Sequence, residues 1–278
     1  MRLVIQGHNL LPEHLATLAQ LTGCNDFIPL AARGYALKQT EHNQEIIAWG
    51  EQHDIDCAFV RDEHTLDNIG LVVMDMDSTL INIECIDEVA DMQGLKPQVA
   101  AITASAMRGE IEFAESLRRR VALLAGLDAS ALQRVYDERL QLSPGAETLL
   151  SALRARGIKT MLVSGGFTFF TERLKQRVRL DHAHANQVEI TDGKLTGKVL
   201  GDVVDAQGKA DLLNRVRENL GLRAEQVVAI GDGANDLKMM AAAGMGIAYH
   251  AKPVVRAQAT YALNHVGLDG VLNLLAPV

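Results

Sequence analysis

The sequence has 278 residues, 48% of them hydrophobic and 22% charged, with a formal net charge of −8. That length predicts one large domain with one or two small modules, the composition excludes a disordered chain, and no apolar run approaches the roughly 18 residues needed to cross a bilayer. The acidic balance weighs against a nucleic-acid partner, and three widely spaced cysteines (Cys24, Cys57, Cys85) exclude a disulfide framework or zinc site and fit a reducing cytoplasm.

Residues 1–5 are the first strand candidate, too short an apolar stretch for a signal-peptide core, so no export is expected. Further strand candidates at 26–31, 33–38 and 55–60 alternate with amphipathic patterns at 11–21 and 41–53. These elements predict a small α+β module over 1–67, a four-stranded sheet backed by two helices. It carries no ligand motif, and a regulatory, dimerising or purely packing role stays open. The polar stretch 61–68 predicts a linker.

From Ile69 the pattern changes to buried strands separated by helices, with β-rich runs at 71–74, 159–163 and 227–230. Alternating β and α elements predict a parallel sheet. Between the first two of these strands lie about 85 residues of helical periodicity, too many for one crossover, so a helical insertion is expected at about 82–140, overhanging the carboxyl edge of the sheet. Asp192-Gly193 between two strand-like runs predicts a type I′ hairpin.

Four places carry candidate chemistry. Asp75-Met76-Asp77-Ser78-Thr79 follows the first apolar strand, where ligand sites of open α/β sheets lie. Alternation along a strand would put both carboxylates on one side; they cannot both ionise freely without a cation or a proton between them, which suits one as metal ligand and nucleophile and the other as proton donor. The alternative is a turn capping the next helix through Ser78 or Thr79. Val163-Ser164-Gly165-Gly166, before a helical pattern at 167–178, offers a hydroxyl and a helix-start anion site, or an ordinary turn. Gly231-Asp232-Gly233-Ala234-Asn235-Asp236 offers hard oxygen ligands of the kind Mg²⁺ prefers, or an acidic N-cap. Lys209 opens a helical pattern at 209–219, where a cation opposes the macrodipole; it either serves an anion or is a solvated lysine.

These motifs fall in order, each at the carboxyl end of a predicted strand or the start of the following helix. D-M-D-S-T, V-S-G-G, a lysine and G-D-G-A-N-D together resemble the haloacid dehalogenase (HAD) superfamily of phosphatases over about 69–278. The resemblance implies an α/β fold: a Rossmann-like core with a parallel sheet, an inserted helical cap, and here the small N-terminal α+β domain. Three cap segments, residues 82–88, 106–109 and 113–121, resemble more closely the members that act on phosphoserine.

That resemblance implies Asp75 as nucleophile and Asp77 as general acid and base, with Ser164, the Gly165 N–H and Lys209 holding the phosphate oxygens. It implies Mg²⁺ held by the Asp75 carboxylate, the Asp77 backbone carbonyl and Asp232, with Asn235 and Asp236 completing the loop and the outer shell of the metal. Glu84 is expected to take the substrate ammonium and Arg120 its carboxylate, while Met107 and Phe113 close over the ligand. The remaining members of the basic run Arg118-Arg119-Arg120 fit a solvated helix face. The implied reaction is hydrolysis of O-phospho-L-serine to serine and phosphate, the last step of serine biosynthesis. Phosphohomoserine or another small phosphate ester is the alternative substrate, phosphoryl transfer the alternative reaction. A binding module without chemistry is disfavoured because every expected acidic residue is present. The expected partner is a small molecule, with no nucleic acid and no membrane; a homodimer stays open.

Overall fold

The computed structural model describes residues 1–278. Its N-terminal part runs β1 (Arg2–Gln6), α1 (Pro12–Thr22), β2 (Ile28–Leu30), β3 (Gly34–Leu37), α2 (Gln44–Gln52) and β4 (Asp56–Val60), and its strands form a four-stranded sheet in the order β2-β3-β1-β4. All five residues of β1 are buried, because both faces of the sheet are covered. Side chains alternate along the strand, so Leu3 and Ile5 pack with Leu18 of α1 and Ile46 of α2, while Val4 joins the core beneath the larger sheet.

The rest of the chain runs β5 (Leu71–Met74), α3 (Cys85–Asp91), α4 (Lys96–Met107), α5 (Phe113–Ala122), α6 (Ser130–Glu138), α7 (Ala146–Ala155), β6 (Lys159–Phe167), α8 (Thr168–Val178), β7 (His182–Thr191), β8 (Lys194–Leu200), α9 (Ala206–Asn219), β9 (Val227–Gly231), α10 (Leu237–Ala242), β10 (Met245–Tyr249), α11 (Pro253–Arg256), β11 (Tyr261–Leu263) and α12 (Gly270–Leu274). The seven-stranded sheet has the order β11-β10-β9-β5-β6-β7-β8, parallel except for the last pair. Strand β5 is continuously apolar because both its faces are buried: Val72 and Met74 belong to one core, Leu71 and Val73 to the other. The strand order reverses at β5, which pairs with β6 on one side and β9 on the other. The loops after these three strands therefore open into one crevice at the carboxyl edge of the sheet.

Helices α3 to α6 fill the long connection between β5 and β6. The β7–β8 hairpin turns at Asp192 (φ 51°) and Gly193 (φ 75°), as Asp-Gly in a type I′ turn requires. It is also fastened to the helical insertion, since Gly126 N–H donates to the Leu195 carbonyl and Leu195 N–H to that of Leu127, both at 2.8 Å.

Three features depart from expectation. Residues 61–68 are no free tether: Leu66 is buried, and the guanidinium of buried Arg2 donates to the carbonyls of Arg61 (3.0 Å), His64 (2.6 Å) and Leu274 (2.9 Å). A buried guanidinium requires such partners, so β1, this stretch and α12 are locked together. Strand β6 continues through Ser164-Gly165-Gly166, and α8 starts only at Thr168, so the two glycines lie in extended chain before the helix. Helix α9 begins at Ala206 behind the N-cap Asp205, whose carboxylate accepts from Gly208 N–H at 2.8 Å; Lys209 therefore sits inside the first turns, not at their start.

Candidate active site

Asp75 is the residue after β5 and is 5% exposed. Its Oδ1 accepts from Met76 N–H at 2.7 Å and lies 2.7 Å from Lys209 Nζ, which leaves Oδ2 free of protein donors. The chain then passes through a tight turn with Ser78 at φ 54° and forms an isolated bridge between Ile81 and Leu142. That turn presents Asp77 to the insertion: its Oδ1 accepts from Cys85 N–H, the first turn of α3, at 2.9 Å, and its Oδ2 lies 3.4 Å from Ser164 Oγ. Thr79 is fully buried, and its hydroxyl donates to Asp232 Oδ1 at 3.0 Å. It caps no helix; it ties the first motif to the third.

Lys209 is 1% exposed, its Nζ 2.7 Å from Asp75 Oδ1 and 2.7 Å from Asp236 Oδ1. The solvated alternative for this lysine is thereby excluded. Burial opposes its charge, but the carboxylates of Asp236 and Asp75 outweigh that and hold its pKa above the ordinary lysine value. Gly231 has no room for a side chain, because a Cβ there would lie 2.5 Å from the carboxylate of Asp236. Asp236 in turn accepts from Gly233 N–H at 3.0 Å, which closes the loop around Asp232.

Ligand oxygens of Asp75, Asp232 and Asp236 lie within 4.8 Å of one another. Three hard oxygen donors against a single lysine leave excess negative charge in a recess, a set that suits a divalent cation. The titration behaviour agrees. Burial, then repulsion from Asp236, pushes Asp232 up to about 6 against the opposing bond from Thr79. Burial, then Asp236, raises Asp75 well above the ordinary carboxylate range despite Lys209. Burial also raises Asp77, with the Cys85 N–H opposing. In Asp75 and Asp232 the repulsion from Asp236 adds to burial, whereas in Asp77 burial alone raises the pKa against its hydrogen bonds. The side chain of Asp236, expected in the loop and the outer shell of the metal, belongs to the acidic trio, whereas the carboxylate of Asp77 points to Ser164 and α3.

Glycines bring the second motif against its neighbours. A Cβ on Gly165 would meet Phe113 Cζ at 2.8 Å, and one on Gly166 would meet Asp77 Oδ2 at 3.0 Å. Phe113 of α5 therefore covers the loop that holds Ser164. Glu84, the residue before α3, opens to solvent on one side and accepts from the Ser78 hydroxyl at 2.8 Å. Crowding by surrounding protein, then repulsion from Asp77, pushes it up to about 7. Arg120 is half-buried at the end of α5, with an Nε buried and without a hydrogen-bond partner. Burial lowers its pKa, opposed by the charges of Asp87, Glu84 and Asp77. A cation and an anion thus stand near each other at the mouth of the crevice. Met107, at the C-terminal end of α4, is 66% exposed, and Asn235 is half-buried in the loop after β9. Sequence reasoning missed the role of Thr79; the signal available was a hydroxyl within a D-x-D-x-T spacing, which here serves the acidic loop and not a cap.

A family model described as haloacid dehalogenase-like hydrolase matches residues 69–244. The chain is 51% identical over 215 residues to a phosphoserine phosphatase of Polaromonas sp., covering 76% of this chain and 91% of the relative. The fold is similar to the unliganded crystal structure of a probable phosphoserine phosphatase from Vibrio cholerae, at TM-score 0.88 and 41% identity, covering 99% of this chain and 86% of that one. It is also similar to a phosphoserine phosphatase solved as an analogue of its phospho-aspartyl intermediate, at TM-score 0.69 and 38% identity, over 73% of this chain and 97% of that one. With these matches lying over the very loops that gather Asp75, Ser164, Lys209 and Asp232, the chain belongs to the haloacid dehalogenase-like hydrolases.

Proposed function

We propose that this chain hydrolyses O-phospho-L-serine to serine and phosphate through an acyl phosphate on Asp75. The observation that carries the reading is the pairing of two half-sites in one crevice: Asp75 beside buried Lys209 and the acidic trio, and Glu84 with Arg120 above them on the cap. Relatives at about half identity that bear the name phosphoserine phosphatase support it.

In the first step Asp75 Oδ2 attacks phosphorus, a P–O bond forms to the aspartate, and the bond from phosphorus to the serine oxygen breaks. Asp77, held by the Cys85 N–H beside Ser164, gives a proton to the departing serine oxygen. In the second step water attacks the same phosphorus and passes a proton to Asp77, and phosphate leaves with the carboxylate of Asp75 restored. Ser164 Oγ, the Gly165 N–H and Lys209 hold the transferring oxygens, and Asn235 stands at the rim as a further contact. Catalysis of this kind is chiefly positional and electrostatic. We assign Mg²⁺ to the acidic site, with Asp75, Asp232 and the Asp77 backbone as its holders and Asp236 beside them; when bound it supplies positive charge that lets two anions approach. Glu84 would pair with the substrate ammonium, Arg120 with its carboxylate, and Phe113 and Met107 would cover the ligand.

The same reading treats residues 1–67 as an N-terminal module and 69–278 as the catalytic domain, with the cap at about 82–140. Two separate sheets support this division. The reading sets the enzyme in the cytoplasm, consistent with three free cysteines and with no helix long and apolar enough to cross a membrane. Dimerisation is a secondary expectation, checked by light scattering. The deciding experiment mixes the protein with labelled phosphoserine and Mg²⁺, quenches in acid and looks for a hydroxylamine-labile phosphoprotein. Its absence during turnover would overturn the mechanism, and faster turnover of phosphohomoserine or a sugar phosphate would overturn the substrate.

A further inference from the structure

Asn186 lies on β7, away from every motif that the sequence singles out, and is 1% exposed. Its Nδ2 donates to the carbonyl of Gly165 at 2.8 Å, and its Oδ1 accepts from the N–H of Val204 at 2.7 Å. The amide cannot be turned over, because a carbonyl can only accept and a backbone N–H can only donate. One arm therefore reaches the loop after the apolar part of β6, and the other reaches the strap just before the N-cap of α9.

What the first arm holds is specific. The carbonyl of Gly165 and the N–H of Gly166 belong to one rigid peptide plane. That N–H donates to Ser164 Oγ at 2.8 Å. Fixing the carbonyl fixes the N–H, and an oxygen that already accepts from a backbone donor keeps its own O–H to give away. In this structure that hydroxyl lies 3.4 Å from Asp77 Oδ2. The second arm anchors Val204, two residues after which α9 begins and carries Lys209 to Asp75. Strand β6 bulges against β7 between Val163 and Phe167, four residues against the two from His184 to Asn186, the irregularity that brings Asn186 level with this segment.

We propose that Asn186 is a positioning residue for phosphoryl transfer, a buried crossbar that sets the Ser164 hydroxyl through the Gly165–Gly166 peptide and holds it in register with the helix that delivers Lys209. It touches neither substrate nor metal; it acts through Ser164, and so it rests on the reading of Ser164 as a holder of phosphate oxygens. A hydroxyl displaced by a fraction of an ångström from a transferring oxygen loses much of its value.

The test is a double-mutant cycle with p-nitrophenyl phosphate, whose phosphate end is all that Asn186 concerns. Asn186→Ala is expected to lower kcat by about 10- to 100-fold with KM moving less than about threefold. In a Ser164→Ala background the same change is expected to cost less than about threefold, because the group through which it acts is gone. An equal loss in both backgrounds would mean a merely structural residue, and an unchanged kcat in folded Asn186→Ala would end the proposal. Should circular dichroism show that the alanine variant does not fold, Asn186→Asp replaces it in the cycle, keeping the volume and the bond from Val204 while losing the donor to Gly165. Wild-type protein that cleaves p-nitrophenyl phosphate but not phosphoserine would sink the substrate reading alone and leave the cycle readable.

Discussion

Lys209 and Asp75 are almost wholly enclosed at the carboxyl edge of the sheet, whereas Glu84 opens to solvent and Met107 is two-thirds exposed on the cap. Each charged side chain on the sheet side is already held by a protein partner, although the acidic trio keeps its excess negative charge: Lys209 by two aspartates, Asp232 by the Thr79 hydroxyl, Asp77 by the first turn of α3. On the cap side the Nε of Arg120 has none. The difference teaches where the two tasks of a phosphatase reside. The groups that handle phosphate are fixed before anything binds, as preorganised electrostatics requires. The groups that would recognise the rest of the substrate sit on cap helices that share the core beneath the sheet, and their pairing is left for the ligand to complete.

The largest effect should come from the fixed side. Asp75→Asn removes the attacking oxygen and should lower turnover by at least about 10³-fold, with no acid-stable phosphoprotein on autoradiography. Because Asn can still accept from Met76 N–H, circular dichroism should be unchanged; appreciable turnover in this variant would assign the nucleophile elsewhere. Lys209→Met should follow, with a loss of about 10²–10³-fold. It should also lower the thermal midpoint, since a buried cation between two carboxylates is removed and their charge left uncompensated. A variant of wild-type stability and near wild-type rate would show that the lysine is not part of this side at all.

The cap side should respond differently in kind. Arg120→Ala should raise KM for phosphoserine by about 10- to 100-fold, the range for one lost charge-assisted contact, while p-nitrophenyl phosphate turnover changes little. Equal losses on both substrates would erase the distinction drawn between the two ends.

The same division governs what could be read without coordinates. Short apolar runs followed by acidic or glycine-rich turns identify β5, β6 and β9 and the loops after them, because continuous burial and oxygen-rich loops each leave a local signature. Strands β10 and β11 left no such mark, the first interrupted by Gly246 and the second only three residues long. Asn186 lies nineteen residues before Asp205, the cap of the helix that its Val204 bond steadies, and its bonds go to backbone atoms, which no side-chain pattern announces. Residues 61–68 look like a linker because they are polar, yet their carbonyls are what buried Arg2 requires. Composition shows which residues are polar; it does not show which of their backbone atoms another part of the chain will use.

The smallest effect, and the finest test of the cap, is in the pH dependence. Glu84 must be ionised to pair with an ammonium, and in the free protein its pKa is pushed up to about 7. Below that value the ionised fraction falls, so kcat/KM for phosphoserine should decline from pH 8 to pH 6 by up to about tenfold, because this ratio reports groups of the free enzyme. The phosphate of the substrate titrates in the same region, so the informative quantity is the difference between wild type and Glu84→Gln. The variant should start lower and lose this limb of the profile, keeping the limbs that belong to the substrate and to the acidic site. Two profiles of the same shape would mean that the ammonium finds its partner elsewhere, and the bond from Ser78 to Glu84 would then be a fixed feature of the turn and not a contact that the ligand displaces.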